Sequence, residues 1–302
     1  MKALITGGTG FVGTNLTRIL RGKGHEVTVL ARNPQKGPVL PDGVNAVAAD
    51  CTKPGPWQTL VPVHDVLINL AGVSPFKRWD DVYKKLLYDT RILTTRNLVD
   101  ALPPEAESKI TLVSTSGIGF YGFTGDQELD ETAPPGDDFF AHLAADWEAE
   151  AFKAKDKGVR VIATRFGVVL GKNGGALQQM VLPFKFFVGG PVGNGQQWAP
   201  WIHIEDLCRA HLFLIENQDL EGPFNYVAPD LVRNAGLAKA IGKTISRPWF
   251  IPAPAFMIKL VLGEFGNIIL EGQKAIPKKL LDSGFSFKFP ELESALKDIL
   301  VS

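Results

Sequence analysis

Gly7, Gly10 and Gly13 stand between a short apolar run, Ala3-Leu4-Ile5 ending in Thr6, and a stretch from Phe11 to Arg21 that sets Leu16, Ile19 and Leu20 on one helical face. The run reads as a buried parallel strand and the stretch as a helix. A strand, a tight turn and a helix in that order aim backbone N–H groups and the positive end of the helix dipole at an anion. In such a turn the first glycine makes the bend, the second lets a pyrophosphate approach the backbone, and the third lets helix and strand touch. The expected guest is a dinucleotide, with Gly7, Thr9, Gly10, Phe11, Val12 and Gly13 as its contacts. A plain glycine-rich loop is the alternative, and the strand before and helix after the triplet count against it.

The residues after the second apolar strand choose the dinucleotide. A site selective for NAD carries an acid there that accepts hydrogen bonds from the ribose, whereas this chain has Ala31-Arg32-Asn33. With no carboxylate to repel it, a 2′-phosphate can be gripped by the Arg32 guanidinium in a charge-assisted fork, so NADP(H) is expected over NAD(H). A solvated arginine at a strand end is the other reading of Arg32. Asp50, just after the third strand, is in place for the adenine amino group or for a helix N-cap or loop role. Leu70, Ala71 and Gly72, after the fourth, can pass their backbone close to the adenine ribose.

These residues need a scaffold. Glu26 to Ala31, Val44 to Ala49, Asp65 to Leu70, Lys109 to Ser114 and Val159 to Phe166 read as further strands. Helical patterns lie between them, from Val82 to Leu102, with Leu86, Ile92, Leu93 and Val99 at helical spacing, and from Phe139 to Ala154. The alternation predicts an α/β fold, a Rossmann-type doubly wound parallel sheet that presents ligands at the carboxyl ends of its strands. Beyond residue 170 the rhythm breaks at Gly189 to Gly195 and Pro248 to Pro254, and short helical patterns at Phe256 to Leu262 and Leu292 to Leu300 flank the turn at Gly284. The expected organisation is an NADP-binding Rossmann domain over 1–226 and a smaller C-terminal substrate lobe over 227–302, to which 171–200 contributes.

The 302 residues balance 32 lysines and arginines against 32 aspartates and glutamates. Such a chain sets up no field that gathers nucleic acid or an anionic membrane surface, so neither is an expected partner. Cys51 and Cys208 lie far apart, without CxxC or Cys/His spacing, which points to reduced thiols in a cytoplasmic protein and to no metal site. Lys259 interrupts the apolar segment from Ala255 to Leu262, leaving it short of a membrane span, and the first residues read as the cofactor strand rather than a signal sequence. Nothing in the sequence indicates an oligomer, and the expected partner is a small-molecule substrate.

Together these residues resemble the extended and atypical short-chain dehydrogenase/reductases, the NAD(P)-dependent epimerase/dehydratase superfamily. Gly7-Gly8-Thr9-Gly10-Phe11-Val12-Gly13 is similar to its fingerprint, Ser114 to Gly122 to its active-site strand end, and Thr164 to Gly171 to the segment over the nicotinamide. Trp201 to Asp206 and Gly222 to Asn225 resemble later landmarks. The resemblance adds Ser114 and Arg165 to the expected cofactor contacts; read alone, Arg165 is a structural partner of acidic groups. The run from Gly189 to Leu207, the stretch Pro229 to Asn234 and the closing Leu262-Gly263-Glu264, Gly272-Gln273 and Pro277-Lys278-Lys279 resemble one subgroup. It comprises epimerase-family proteins with a C-terminal domain of unknown function, some of them labelled cell-division inhibitors.

The resemblance implies catalysis by a Tyr four residues ahead of a Lys on one helix, the Lys lowering the phenol pKa so that it can move a proton. The matching helix here, Phe139 to Glu148, places Phe140 and Ala144 at those positions, with Glu148 matching the acid that follows the pair. Neither side chain has an ionisable proton. The remaining catalytic candidates are Tyr121, whose phenol follows the fifth strand, and Ser116, which could orient a carbonyl. A packed ring and a strand-end cap are their plainer readings. His142 reads as a surface residue, His203 as a neutral imidazole at the core edge ahead of a catalyst, and Asp206 as an orienting group. Trp198 and Trp201 either line a cleft or fill the space between lobes. Three functions stay open: an NADP(H)-dependent oxidoreductase or epimerase-like enzyme acting on an unknown small molecule, a non-catalytic NADP(H)-binding sensor, and an interaction protein linked to cell division.

Overall fold

The structure, a computed structural model, describes residues 1–104, 110–172 and 174–301. In chain order its strands are β1 (Lys2–Thr6), β2 (Glu26–Ala31), β3 (Asn45–Ala48), β4 (Val66–Asn69), β5 (Thr111–Gly117), β6 (Glu128–Leu129), β7 (Arg160–Phe166), β8 (Val168–Leu170), β9 (Trp201–His203), β10 (Gly222–Tyr226) and β11 (Lys274–Ala275). The helices are α1 (Phe11–Gly22), α2 (Asp81–Asp100), α3 (Phe139–Phe152), α4 (Leu177–Lys185), α5 (Ile204–Glu216), α6 (Asn234–Thr244), α7 (Ala255–Leu262), α8 (Phe265–Leu270), α9 (Lys278–Asp282) and α10 (Leu292–Leu300). Lys109, where the sequence reading starts the fifth strand, lies outside the described residues.

Seven strands form one sheet in the order β10-β7-β5-β4-β1-β2-β3, every neighbouring pair parallel. Its inner strands are apolar on both sides because both faces are covered, whereas the edge strand β3 is largely exposed. On one face Ile5, Val29, Ile68, Val113 and Ile162 meet Leu16 and Leu20 of α1 and Leu207 and Leu214 of α5. On the other, Leu4, Leu30, Leu67, Leu112 and Val161 meet Leu98 and Val99 of α2 and Ala151 of α3. Each such side chain, fully covered, contributes about 2 kcal/mol of burial. The chain winds outward from β1 through β2 to β3, then crosses back to β4 on the other side of β1 and winds outward again, and that reversal opens a crevice at the carboxyl ends of the strands.

A separate cluster joins Leu177 and Phe184 of α4, Trp201 of β9, Leu237 and Ile241 of α6 and Leu296 of α10. The last segments are also tied to the sheet: Leu280 and Phe285 pack into the α1/α5 core, and β11 pairs with β6 through Lys274↔Glu128 and Ala275↔Leu129.

Two helices depart from their apolar spacing. In α2 the buried apolar residues are Leu87, Ile92, Leu98 and Val99, whereas Leu86 is 42% exposed. The inward face of α2 also carries Arg91, Thr94, Thr95 and Asn97, a polar surface that apolar periodicity does not reveal. In α7, Phe256 and Leu260 are about 70% exposed, so that helix shows much of its apolar surface to solvent. Among the described residues no helix is long and apolar enough to cross a membrane.

Candidate functional site

The glycine turn is built as a cradle. Gly7 takes φ +69°, and a β-carbon there would stand 2.9 Å from the carbonyl carbon of Leu70; at Gly13 it would stand 2.5 Å from the Cα of Gly8. The Gly10 amide donates to the Gly7 carbonyl at 2.9 Å, closing the turn. No side chain caps α1 and its first turn holds no acid, so the positive helix end is open to an anion. The Phe11 ring packs under Gly174 and Gly175, and Phe11, Val12 and Leu70 line a cleft. Thr9 packs against Gly37 in the turn after β2.

Across the crevice, hydrogen bonds fix the segment after β4. Thr6 Oγ1 donates to Asn69 Oδ1 at 2.6 Å, while Asn69 Nδ2 donates to Thr95 Oγ1 at 2.8 Å and lies 3.4 Å from Ser114 Oγ. The Trp147 indole N–H donates to the same Thr95 oxygen at 2.8 Å. Beneath Gly72 lies the buried Arg91 guanidinium, whose N–H groups donate to the Leu87 and Val73 carbonyls. Leu70, Ala71 and Gly72 are thus held rigidly beside the glycine turn. Ser114 belongs to this buried lock.

Arg32 is exposed at the end of β2, and its positive charge reaches Asp50. Asp50 accepts from both the amide and the hydroxyl of Thr52, at 3.2 and 2.6 Å. The Thr52 hydroxyl in particular holds the Asp50 carboxyl below its usual pKa. The structure therefore shows Asp50 in a loop role, both bonds to Thr52 being made by Oδ1.

Four groups expected near the chemistry form one buried network. Glu148 Oε1 accepts from Ser116 Oγ and from Arg165 Nε, both at 2.7 Å, and Glu148 Oε2 accepts from Arg165 Nη2 at 2.8 Å. Arg165 Nη1 donates to the Tyr121 hydroxyl at 2.9 Å, which donates to Asn225 Oδ1 at 2.7 Å. The guanidinium also lies 3.5 Å over the Phe120 ring. Burial pushes the Tyr121 phenol up to about 12. Two expectations are corrected here. Tyr121 is a packed ring, 1% exposed within an apolar cluster and outside the described lining of the cleft, and its hydroxyl both donates and accepts inside the network. Arg165 is not a free coenzyme contact: its charge is neutralised by Glu148, the structural partnership its sequence context also suggested. Ser116 does line the cleft, but its proton points to Glu148.

The helix that would carry the tyrosine–lysine pair shows what replaces it. Asp138 caps α3 by accepting from the Phe140 and Ala141 amides. Phe140 lines the cleft, its ring on Gly119, where a β-carbon would stand 2.4 Å from the ring; Ala144 is buried against Ile118, Phe120 and Tyr121. Trp79 braces Phe140 at a centroid distance of 5.5 Å.

The cleft itself has a volume of about 640 Å³. One wall is the coenzyme side, with Phe11, Val12 and Leu70. The opposite wall comes from late segments, including Met180, Trp198, Ile258, Phe265 and Ile268. Trp198 thus lines the cleft, whereas Trp201 is fully buried with its N–H on the Asp230 carbonyl. His203 is buried and caps α5, its Nδ1 accepting from the Glu205 amide; Asp206 accepts from the amides of Lys288 and Phe289. His142 is exposed beside Asp137. Sequence reasoning missed Thr115, whose buried Oγ1 has no hydrogen-bond partner near the carboxyl end of β5, and Gln197, whose Oε1 is likewise unpartnered. Both line the cleft, and no local motif marks either.

Comparison with known proteins agrees with this architecture. A model of the NAD dependent epimerase/dehydratase family matches residues 3–228, and one of a domain of unknown function, DUF1731, matches residues 253–299. Epimerase family protein SDR39U1 of Mus musculus is 38% identical over 309 residues, covering 99% of this chain and 100% of that protein. The crystal structure of human epimerase family protein SDR39U1 with NADPH superposes with a TM-score of 0.87 at 38% identity, covering 99% of both chains. A nucleoside-diphosphate sugar epimerase from Corynebacterium glutamicum superposes with a TM-score of 0.78 at 32% identity, covering 98% of this chain and 57% of that one.

Proposed function

Since the chain belongs to the NAD dependent epimerase/dehydratase family, we propose that it binds NADP(H) and serves redox chemistry on a small molecule without a tyrosine–lysine pair. The observation that carries this reading is the combination of an intact cradle, Gly7 to Gly13 below an uncapped α1, with Phe140 and Ala144 on the helix that faces it. When bound, the coenzyme supplies or accepts hydride at its nicotinamide ring. The glycine turn and the α1 amides hold the pyrophosphate, Arg32 meets the 2′-phosphate, and Leu70 to Gly72 present backbone to the ribose. Kinship to a protein solved with NADPH supports NADP(H) as the coenzyme.

Phe11, Phe140 and Phe166 line the inner cleft with apolar surface. Ser116 acts as a positioning group, its hydroxyl anchored on Glu148 and its oxygen able to accept. With Tyr121 sealed in the network, water is the proton source retained for the reaction. A non-catalytic sensor is the second reading, and the commitment of both the Ser116 and Tyr121 protons favours it. A panel of carbonyl compounds added to NADPH-loaded protein separates the two. Steady loss of reduced-nicotinamide absorbance supports the enzyme, and tight coenzyme binding with no turnover on any member supports the sensor.

A further inference from the structure

We infer that the cleft beside the coenzyme cradle takes a neutral, largely apolar carbonyl compound or alcohol, whose oxygen accepts from the Thr115 hydroxyl and whose hydroxyl, where it carries one, donates to Gln197 Oε1, rather than a phosphorylated sugar. This rests on the proposed coenzyme site, since it assigns what stands next to it. Among the described lining residues there is no lysine, arginine or histidine, and Glu271, at the rim, is the one ionisable side chain. The two cations stacked on the lining residue Trp198 are already neutralised: Arg233 by Asp126 at 2.8 Å and Lys274 by Glu128 at 3.0 Å. A diphosphate brought into such a wall would lose its hydration with no counter-charge in return.

The walls suit the opposite chemistry. Met180, Leu237, Ile241, Ile258, Phe265 and Ile268 surround the space, and an apolar occupant gains from each contact. The mouth is apolar as well, because Val188 and Ile251 line the cleft and are 53% and 41% exposed. Against this background two polar atoms stand out. Gln197 Nε2 is spent on the Val192 and Ile269 carbonyls, which fixes its Oε1 as an unpartnered acceptor, and Thr115 Oγ1 is unpartnered too. A buried polar atom left unsatisfied is costly, so the Thr115 hydroxyl fits a ligand carbonyl or hydroxyl, and Gln197 Oε1, an acceptor, fits a ligand hydroxyl on the same apolar frame. Ser116 cannot donate to it without breaking its bond to Glu148; Thr115 can.

Benzophenone, a neutral aryl ketone that inserts into nearby C–H bonds on irradiation, tests the assignment beside UDP-glucose on NADPH-saturated protein. NADPH affinity, measured first, tests the coenzyme reading by itself. The expected result is saturable benzophenone binding at least about tenfold tighter than that of UDP-glucose, with photo-crosslinks at cleft residues such as Met180 and Ile258. Thr115→Val should weaken benzophenone about tenfold with NADPH affinity unchanged. The crosslink map on the unaltered protein decides the matter if that variant fails to fold. NADPH binding accompanied by tighter UDP-glucose than benzophenone, by no binding of either, or by crosslinks outside the cleft would overturn the inference and leave the coenzyme site standing.

Discussion

Glu148 and Arg165 form a two-pronged ion pair, Nε to Oε1 at 2.7 Å and Nη2 to Oε2 at 2.8 Å, with side chains only 6% and 4% exposed. Buried pairs of this kind add little over apolar packing, but half of one is strongly destabilising. Glu148→Gln leaves the Arg165 charge uncompensated and is expected to cost about 3 kcal/mol or more, read as a lowered urea midpoint. The double replacement Glu148→Leu with Arg165→Met should recover most of that loss. Equal midpoints for Glu148→Gln and the unaltered protein would show the pair to be idle.

Tyr121→Phe removes a donor to Asn225 and an acceptor for Arg165, both in the interior. A loss of about 1–3 kcal/mol in stability is expected, with NADPH affinity and any turnover retained. Abolished turnover in a folded Tyr121→Phe protein would return the phenol to the chemistry.

Gly13→Ala drives a β-carbon to 2.5 Å from the Gly8 Cα, so the turn itself must move. Stability should fall by about 1–3 kcal/mol and NADPH affinity by at least about tenfold. Gly22→Ala, in the same helix with nothing within 4 Å of the added carbon, should be neutral or slightly stabilising. Calorimetric titration of the two variants side by side checks the contrast.

Stability should fall on mild acidification. Burial lowers His211 from 6.5 to about 4; its Nδ1 bonds the Leu207 carbonyl and its Nε2 has no partner. The unfolded chain therefore takes up this proton first as pH drops. The contribution of His211 is complete above pH 6.5 and lost progressively between 6.5 and about 4, on the order of 3 kcal/mol in all. His203, lowered chiefly by burial and opposed by Asp298, acts in the same direction. Urea midpoints measured across this window should slope downward toward acid, and His211→Phe should flatten the slope.

The sheet was legible because a strand covered on both faces writes itself as a solid apolar run, as in Ala3 to Ile5 and Val66 to Ile68. The glycine triplet was legible because its spacing follows from backbone contact. Leu86 went astray because α2 turns a polar face inward, where Arg91 and Thr95 anchor the crevice. Which groups Tyr121 and Arg165 pair with was hidden for a different reason. Their partners, Asn225 and Glu148, lie 104 and 17 residues away, and pairings at such range are set by strand order rather than local pattern. Thr115 and Gln197 carry no motif; only an enclosed space shows that their oxygens are unmet.

Fluorescence titration of folded protein with NADPH and with NADH tests the central claim most directly. Saturable NADPH binding, about tenfold or more tighter than NADH and brought level with it by Arg32→Ala, is the predicted result. No binding of either coenzyme, or equal affinity for the two in the unaltered chain, would contradict it.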